Sequence, residues 1–461
     1  MKCGNRRTFI RNGLASALAL SSRAAVVGVP ASFLLTGQAQ AASGNPKFTI
    51  IAQSTRGEAI NTMGPGTYDS NTIARVIDHV VASEVPNSLR RTINGREYTA
   101  QDLASAANVQ LGSQTVRAAR VWNALPQGFR NNMSYFWMRT GANAHQEFPA
   151  IKTCMGALKN DLNPNRNEEL ASAIALEMAA SLGTTTTKPI FLDGSGRFLG
   201  TPLSVSEPTR IKDLFSLSTN SQISPENYGA LYDQAIDSLY DNLKQNGTRG
   251  QRTYLDNHAL TRSQAQQIGD QIGSLISDVN SNDFVNEIKT ALALIRLRIT
   301  PVVTLKHDFS RDNHGDENLV DEVSGTLDTI SGLNLYWQLL NQYNLQNEVN
   351  FFTLDVFGRT VKRNSRRGRD HYGNLTLGLC HGSDFKGSVI GGFTQVTSRG
   401  NNLPAASGIN SSTGASSNNS DISPGGTIGS YGCTMMMAAG VSDERLQLRF
   451  PTSKAVTGAF S

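Results

Sequence analysis

A strand, a loop, a helix and a second strand follow one another over residues 298–356, and this order restricts the fold more than any other feature. Residues 298–305 and 350–356 are apolar runs rich in β-branched or aromatic side chains, and 319–343 has helical periodicity. Two strands joined through a helix lie parallel in one sheet. The sequence therefore predicts an α/β protein with a mainly parallel sheet flanked by helices.

The same patterns predict further elements on both sides of this unit. Apolar runs at 47–52, 374–380 and 388–396 predict additional strands. Helical periodicity predicts helices at 168–182, 226–245, 261–279, 283–297 and 431–440. Most of these helices lie between the first two predicted strands. We therefore expect a single domain over residues 42–461 that carries helical insertions.

The first 41 residues have the pattern of a twin-arginine signal peptide. Arg6 and Arg7 precede an apolar pair, a weakly apolar stretch covers 13–35, and small residues at 39–41 suit a signal peptidase. The alternative is a membrane anchor, which needs about twenty nearly uncharged residues. Arg23 interrupts this stretch. We therefore expect export by the twin-arginine translocase to the periplasm or the medium, with no stable membrane span after processing.

Loss of this segment would leave the chain formally neutral. The segment contains five of the 42 Lys and Arg residues and no acid, so 37 cations would face 37 Asp and Glu in a mature chain that begins near Ala42. A neutral protein lacks the basic field that nucleic-acid binding requires, so we expect no nucleic-acid partner. Residues 362–369 are a local basic run. They predict a solvated loop or, as the alternative, an anion-binding loop.

Two features of the C-terminal third concern stability. Residues 397–427 consist mainly of Ser, Asn and Gly, a composition that predicts a mobile surface loop that is dispensable for the fold. An oxidising compartment permits one disulfide among Cys154, Cys380 and Cys433. Cys380 and Cys433 are the preferred pair because both lie in this region, and buried free thiols are the equal alternative.

Acidic and imidazole side chains accumulate between residues 312 and 381. Three of the seven His of the chain, His314, His371 and His381, lie here, and Asp312 and Asp370 neighbour the first two. Carboxylate and imidazole together are the ligands of divalent metals. The loops that carry them follow predicted strands, at the edge where open parallel sheets bind ligands. We therefore predict a site for zinc, manganese or calcium formed by Asp312, His314, Asp370 and His371.

This region contains further candidate residues and allows other interpretations. Asp370-His371 could instead form a structural turn. Arg359 is the predicted catalytic residue, because a planar guanidinium suits the oxygens of phosphate or sulfate. His307 and Asp308 either join the site or cap the strand before them, and His145 lies in a polar turn that favours a solvated side chain.

The motifs of this region resemble those of the bacterial domain-of-unknown-function 1501 family, which is distantly similar to the alkaline phosphatase and sulfatase superfamily. The resemblance rests on three segments that occur in the family's order: Asp312-Asn313-His314, Phe357-Gly358-Arg359-Thr360 and Gly368-Arg369-Asp370-His371. It implies an alkaline-phosphatase-like core and metal-dependent hydrolysis of small phosphate or sulfate esters. It also implies a role for His145, because family members often place a His there.

The chain departs from this family at positions that matter for catalysis. Asp355-Val356 stands where the family has a Glu directly before Phe. Ser54, Thr55 and Glu58 match only weakly the acid and the Ser or Thr nucleophile of the superfamily hydrolases. The sequence leaves open whether the protein is an enzyme. The alternative is a non-catalytic exported binding or assembly factor that kept the fold and lost the nucleophile.

The signal-peptide interpretation predicts that export depends on the arginine pair. The double variant Arg6→Lys and Arg7→Lys should leave unprocessed precursor inside the cell, because the twin-arginine translocase recognises that pair. Cell fractionation and immunoblotting measure the two forms, and Arg11→Lys is the matched control. Normal processing of the double variant would contradict this route.

Overall fold

The protein is described by a computed structural model over residues 45–68, 89–154, 159–160, 163–216, 248, 270–309, 312–316, 319–398, 401–417 and 419–461. The predicted signal peptide, the predicted helix at 226–245 and the first part of the one at 261–279 lie outside these ranges. Within them the fold is mixed α/β, with a mainly parallel central sheet flanked by helices.

Seven strands of the described ranges form the central sheet. They are β1 Phe48–Ser54, β2 Met133–Met138, β3 Ile190–Phe191, β4 Val302–Lys306, β5 Val349–Asp355, β6 Thr376–His381 and β7 Val389–Ile390. Their order in space is β7-β2-β6-β5-β1-β4-β3. Strand β1 lies between β4 and β5 and is parallel to both, as the predicted crossover unit requires. Residues of β1, β2 and β5 are almost all buried, which explains their continuous apolar runs.

Strand β6 relates the direction of β2 to that of the parallel strands. It pairs antiparallel with both β5 and β2, so β2 has the same direction as β5. Strands β1, β2, β4 and β5 therefore all end at one edge of the sheet. The loops that follow these four strands can approach one another there, which is where ligands of open α/β sheets bind.

The described α-helices cover the sheet and fill the space beside it. They are α1 Ala100–Ala104, α2 Gln127–Arg130, α3 Phe148–Ile151, α4 Leu170–Leu182, α5 Pro208–Ser216, α6 Phe284–Arg296, α7 Val320–Tyr343, α8 Thr427–Ala438 and α9 Asp443–Arg449. Helices α4 and α6 pack on β4, and α8 packs on β2. Within the described ranges, every helix falls short of the length and apolarity that a bilayer crossing requires.

Two-stranded antiparallel ribbons complete the described structure. Their strand pairs are Arg91–Ile93 with Arg96–Tyr98, Ala106–Leu111 with Gln114–Ala119, Lys159–Asn160 with Asn163–Asn167, Gly196–Phe198 with Thr201–Leu203, Gly358–Arg359 with His371–Tyr372, and Phe393–Ser398 with Asn401–Ala406. The ribbon of Gly358–Arg359 and His371–Tyr372 follows β5 and leads into β6. It therefore stands at the edge where the parallel strands end.

The structure confirms the predicted bounds of two helices, and residues at their ends explain where they begin and end. The helix predicted at 283–297 is α6, and Asp283 caps it by accepting a hydrogen bond from the backbone N–H of Asn286 at 2.9 Å. The helix predicted at 319–343 is α7. It ends at Asn344, which takes the left-handed conformation with φ of 56°.

The preferred disulfide between Cys380 and Cys433 is not formed. Cys380 lies in β6 and Cys433 in α8, and both are free and buried, as is Cys154. Burial raises the pKa of all three thiols, that of Cys433 to about 12. These cysteines therefore behave as small apolar core residues, which was the alternative interpretation.

The prediction of a mobile surface loop over 397–427 is wrong for its described residues. Asn401–Ala406 is a strand, and Ala405, Ala406, Ile409 and Ile422 are buried. Ile409 forms β-bridges with Ser416 and Ile422. The segment also bonds to the rest of the fold, since the N–H of Gly391 donates to Gly414 O at 2.7 Å. A few apolar residues among many small polar ones are enough to pack it.

Ile409 should therefore contribute to stability although it lies in a low-complexity segment. Ile409→Ala removes a fully buried side chain and should lower the free energy of unfolding by about 2–5 kcal/mol. Asn419→Ala, at an exposed position of the same segment, should change it by no more than about 0.5 kcal/mol. Urea denaturation measures both values, and equal small effects would restore the loop interpretation.

Candidate metal centre

Segments that follow four parallel strands converge at the carboxyl edge of the sheet. Thr55 directly follows β1, and His145 lies seven positions after the end of β2. Asp312 and His314 lie in the loop after β4, and His371 lies in the ribbon after β5. The crossover topology thus places residues from distant parts of the sequence in one shallow site, which is the location that the sequence predicted.

His145, Asp312 and His371 form a group that could hold a metal ion. One ligand atom from each lies within 4.8 Å of the others. Nε2 of His145 is 3.5 Å and Nε2 of His371 is 4.0 Å from Oδ1 of Asp312. His314 approaches the same atoms, with its Nε2 3.5 Å from Oδ1 of Asp312 and 2.8 Å from Nε2 of His371. Three imidazoles therefore direct Nε2 toward one carboxylate oxygen.

The other nitrogen of each imidazole faces a hydrogen-bond acceptor. Nδ1 of His145 lies 2.5 Å from the carbonyl oxygen of Thr55, and Nδ1 of His371 lies 2.7 Å from that of Asn143. Nδ1 of His314 lies 2.8 Å from Oδ1 of Asp370. Carbonyl and ionised carboxylate oxygens only accept hydrogen bonds, so these partners assign the proton of each neutral ring to Nδ1. Each Nε2 then carries a lone pair.

This arrangement places acceptors against acceptors. The Nε2 lone pairs of His314 and His371 lie 2.8 Å apart, and both face the carboxylate of Asp312. Such contacts repel unless protons or a cation lie between the atoms. A divalent cation would satisfy the three imidazoles and the carboxylate at once, and outer hydrogen bonds from Nδ1 to a carbonyl or carboxylate are typical of imidazoles that bind metal.

Arg359 keeps the Asp312 carboxylate ionised. Its Nη2 donates to Oδ1 of Asp312 at 3.2 Å. Partial burial of Asp312 opposes ionisation, but the hydrogen bond and charge of Arg359, with smaller contributions from His145 and His314, lower the pKa of the carboxyl below its ordinary value. The oxygen at the centre of the group is therefore negatively charged at neutral pH.

Asp370 is also ionised, and it orients His314. Partial burial opposes ionisation of this carboxyl, but the hydrogen bonds from Asn364 and His314 outweigh it and lower the pKa. Nδ2 of Asn364 donates to Oδ1 of Asp370 at 2.7 Å. Asp370 thus has the position of an outer partner of His314. Its direct ligation of a metal stays a prediction.

His371 is held in the neutral form that metal ligands require. Partial burial is the largest cause of its lowered pKa, and the positive charge of Arg359 and the neighbouring His145 and His314 act in the same direction. The hydrogen bond to the carbonyl of Asn143 opposes them without reversing the shift. A neutral ring offers its Nε2 lone pair to a cation without first losing a proton.

Phe357 packs against two of the imidazoles and limits their rotation. Its ring stacks on His371 with centroids 4.1 Å apart and lies 5.2 Å from the ring of His145. Gly57 makes this close approach possible, because a Cβ there would come within 2.3 Å of Phe357 and its φ is +85°. The aromatic ring and the backbone carbonyls together fix the direction of each Nε2.

A buried polar network lies under the group and joins three segments. Arg369 is 1% exposed, and its Nη1 donates to Oε1 of Glu322 on α7 at 2.5 Å. Its Nη2 donates to Oδ1 of Asn61 after β1 at 2.6 Å. Oε2 of Glu322 accepts from Nδ2 of Asn313, which lies between Asp312 and His314 in the chain. The network therefore fixes the loop that carries two of the site residues.

The imidazoles of the region that the sequence singled out are only partly brought together. Asp312, His314 and His371 converge, whereas His381 lies in β6, fully buried and stacked on Phe129 at 4.1 Å. His307 is buried beside Asp355, with Nε2 2.9 Å from Oδ2, so it caps the strand ends and does not join the group. The imidazoles of the sequence cluster therefore separate into site and core residues.

Arg359 is placed differently from the expected oxyanion partner. Its side chain is fully buried, and it donates to Asp312, to the carbonyl oxygen of Arg56 and, at 3.2 Å from Nη1, to that of Arg369. This geometry makes it a positioning residue for Asp312. Its predicted catalytic role stays a prediction.

His145 is the residue that local sequence reasoning did not favour. The polar turn around it indicated a solvated side chain, and only the family resemblance indicated a site role. The sequence analysis did not predict strand β2, Met133–Met138, which is fully buried and runs parallel to β5. A strand prediction there would have placed His145 at the same edge as Asp312.

Comparison with protein-family models and with curated proteins gives no match to this sequence. The resemblance to the domain-of-unknown-function 1501 family therefore rests on the three motifs alone. Function has to be argued from the geometry of the site.

Breaking the buried network should unfold the base of the site. Arg369→Met leaves Glu322 buried without its cation and should lower the free energy of unfolding by about 3–5 kcal/mol. Lys454→Met removes an exposed ion pair with Asp421 and should cost no more than about 1 kcal/mol. Chemical denaturation distinguishes the two, and equal effects would show that the network is not a main source of stability.

Proposed function

We propose that His145, Asp312, His314 and His371 bind one divalent transition metal, with zinc the best fit to the donor set. Three imidazoles and one carboxylate match the nitrogen and oxygen ligands that zinc prefers, and manganese is the next candidate. Calcium fits poorly, because it prefers oxygen ligands. The observation that carries the proposal is the mutual approach of Nε2 lone pairs whose Nδ1 protons are fixed by acceptors.

The reaction that we propose is hydrolysis of a phosphate or sulfate ester. A bound ion that accepts a water in addition to its four protein ligands would polarise the ester oxygen and lower the pKa of that water to about 7. The protein supplies ligands held rigidly by the Thr55 and Asn143 carbonyls, and a site that remains open, since Asp312 is 53% exposed. Activation of water makes a Ser or Thr nucleophile unnecessary, which removes the main objection that the sequence raised.

The fold and the location complete this proposal. A mainly parallel sheet with the site at its carboxyl edge is compatible with an alkaline-phosphatase-like core, and the residue motifs favour that core over other α/β folds. The twin-arginine pattern at Arg6 and Arg7 favours export in the folded state. We therefore infer an exported, metal-dependent ester hydrolase.

A second candidate is a non-catalytic exported binding or assembly factor that keeps the metal. The engagement of Arg359 favours it, because Asp312 and two backbone carbonyls already use this guanidinium, which therefore does not face a transition-state oxyanion. Metal binding is common to both candidates, and turnover separates them.

Metal binding is tested by comparing variants of imidazoles inside the group with a variant of an imidazole in the core. Wild-type protein reconstituted with zinc should contain about one ion per chain, and zinc at 100 times its dissociation constant should stabilise the fold by about 2.7 kcal/mol. His145→Ala and His371→Ala should lose both the ion and this stabilisation. His381→Phe, in the core, should keep both. Elemental mass spectrometry and melting curves with and without zinc measure these effects.

Nitrophenyl phosphate and nitrophenyl sulfate test turnover on the same samples. Release of nitrophenol that chelation abolishes and zinc restores supports the hydrolase. A stoichiometric ion without turnover supports the binding factor. Wild-type protein that holds no stoichiometric zinc, manganese or calcium would contradict the metal centre itself.

A further inference from the structure

The loop over residues 362–367 is a strongly basic surface beside the metal centre. It contains Lys362, Arg363, Arg366 and Arg367 and no acidic residue. Three of these side chains are exposed, and that of Arg363 is half-buried. The loop belongs to the same ribbon connection as Asp370 and His371, so its charges stand next to the site rather than elsewhere on the protein.

Backbone bonds hold this basic loop in one shape. The N–H of Asn364 donates to Gly368 O at 2.8 Å, and that of Arg367 donates to Asn364 O at 3.0 Å. Oδ1 of Asn364 accepts from the N–H groups of Arg366 and Gly368 at 2.9 and 3.1 Å. The turn is therefore closed by Asn364, and the cations are carried by a preorganised backbone. Preorganisation lowers the entropy cost of binding.

Asn364 also attaches the basic loop to the site. Its Nδ2 donates to Oδ1 of Asp370 at 2.7 Å and to His314 O at 3.1 Å. Gly368 packs directly on the same segment, because a Cβ there would come within 2.0 Å of Asn313 O. The cations are thus fixed against the loop that carries Asp312 and His314.

We propose that the basic loop binds a polysaccharide that bears sulfate or phosphate groups, so that one ester group of the chain reaches the metal centre. This inference rests on the proposed ester hydrolysis and names its substrate class. Arg predominates over Lys in the loop, and the guanidinium fork pairs with two oxygens of a sulfate or phosphate. Several fixed cations beside one reaction site suit a ligand with repeated anionic groups better than a single small ester.

Two other polyanionic surfaces fit the loop less well. Proteins that bind single-stranded nucleic acid interleave aromatic residues with basic ones for base stacking, and residues 360–370 contain no aromatic side chain. Peripheral membrane binding adds apolar side chains to the basic ones. Among the described residues, one large apolar side chain, that of Leu448, is exposed, and it lies on α9 rather than in the basic loop.

Binding of dextran sulfate and of phosphorylated dextran to the purified exported protein tests the proposal, and neutral dextran is the control ligand. The quadruple variant Lys362→Gln, Arg363→Gln, Arg366→Gln, Arg367→Gln should weaken binding by about ten-fold or more. The slope of log affinity against log salt concentration should fall by roughly one unit for each cation that no longer meets a sulfate or phosphate group. The control variant, Arg210→Gln with Lys454→Gln, removes exposed cations from α5 and from the C-terminal segment and should bind as wild type.

Metal content, measured on the same samples, separates this inference from the proposed function. The quadruple variant should retain the zinc content of the wild type. Loss of polysaccharide binding with zinc retained supports the inference, and binding without any metal in the wild type would support the loop while contradicting the hydrolase. Equal binding by wild type and quadruple variant would overturn the inference. Tighter binding of an oligothymidylate or of anionic lipid vesicles than of either dextran ester would overturn it as well.

Discussion

The geometry of the site depends on one buried cation, the guanidinium of Arg369. It donates to Glu322 on α7, to Asn61 and the Ala59 carbonyl after β1, and to the Thr360 carbonyl in its own connection. A buried charge is tolerated only when its donors are satisfied, so these segments must stay together for the cation to remain buried. The loops of the candidate metal centre are held by this network.

The candidate metal centre owes its geometry more to backbone carbonyls than to its own side chains. The carbonyls of Thr55 and Asn143 orient His145 and His371, and neither carbonyl depends on the identity of the side chain that it belongs to. Substitution of Thr55 or Asn143 would therefore leave the acceptor in place. The orientation of these imidazoles therefore depends on loop conformation, which the hydrogen bonds of the buried network under the site hold in place.

The crossover unit was predictable from sequence because its signals are local. Apolar runs and helical periodicity located β4, α7 and β5, and parallel topology then placed Asp312 and His371 at one edge. His145 was not predictable in this way, because β2 was not identified and the direction of β2 depends on antiparallel pairing with β6. The packing of residues 401–409 also depends on partners that are distant in the sequence. Overall composition does not reveal a few buried apolar residues among many polar ones.

The cations of residues 359–369 are of two kinds, buried and at the surface, and the sequence does not show which is which. Arg359 and Arg369 are buried, and the carboxylates of Asp312 and Glu322 compensate their charges. The cations of residues 362–367 lie between them on a turn that faces solvent. The buried pair anchors both ends of the connection, so the turn cannot fold away from the site. The basic run therefore contains two buried arginines that hold the connection in place and a set of surface cations on the turn between them. The buried arginines determine where the surface cations lie.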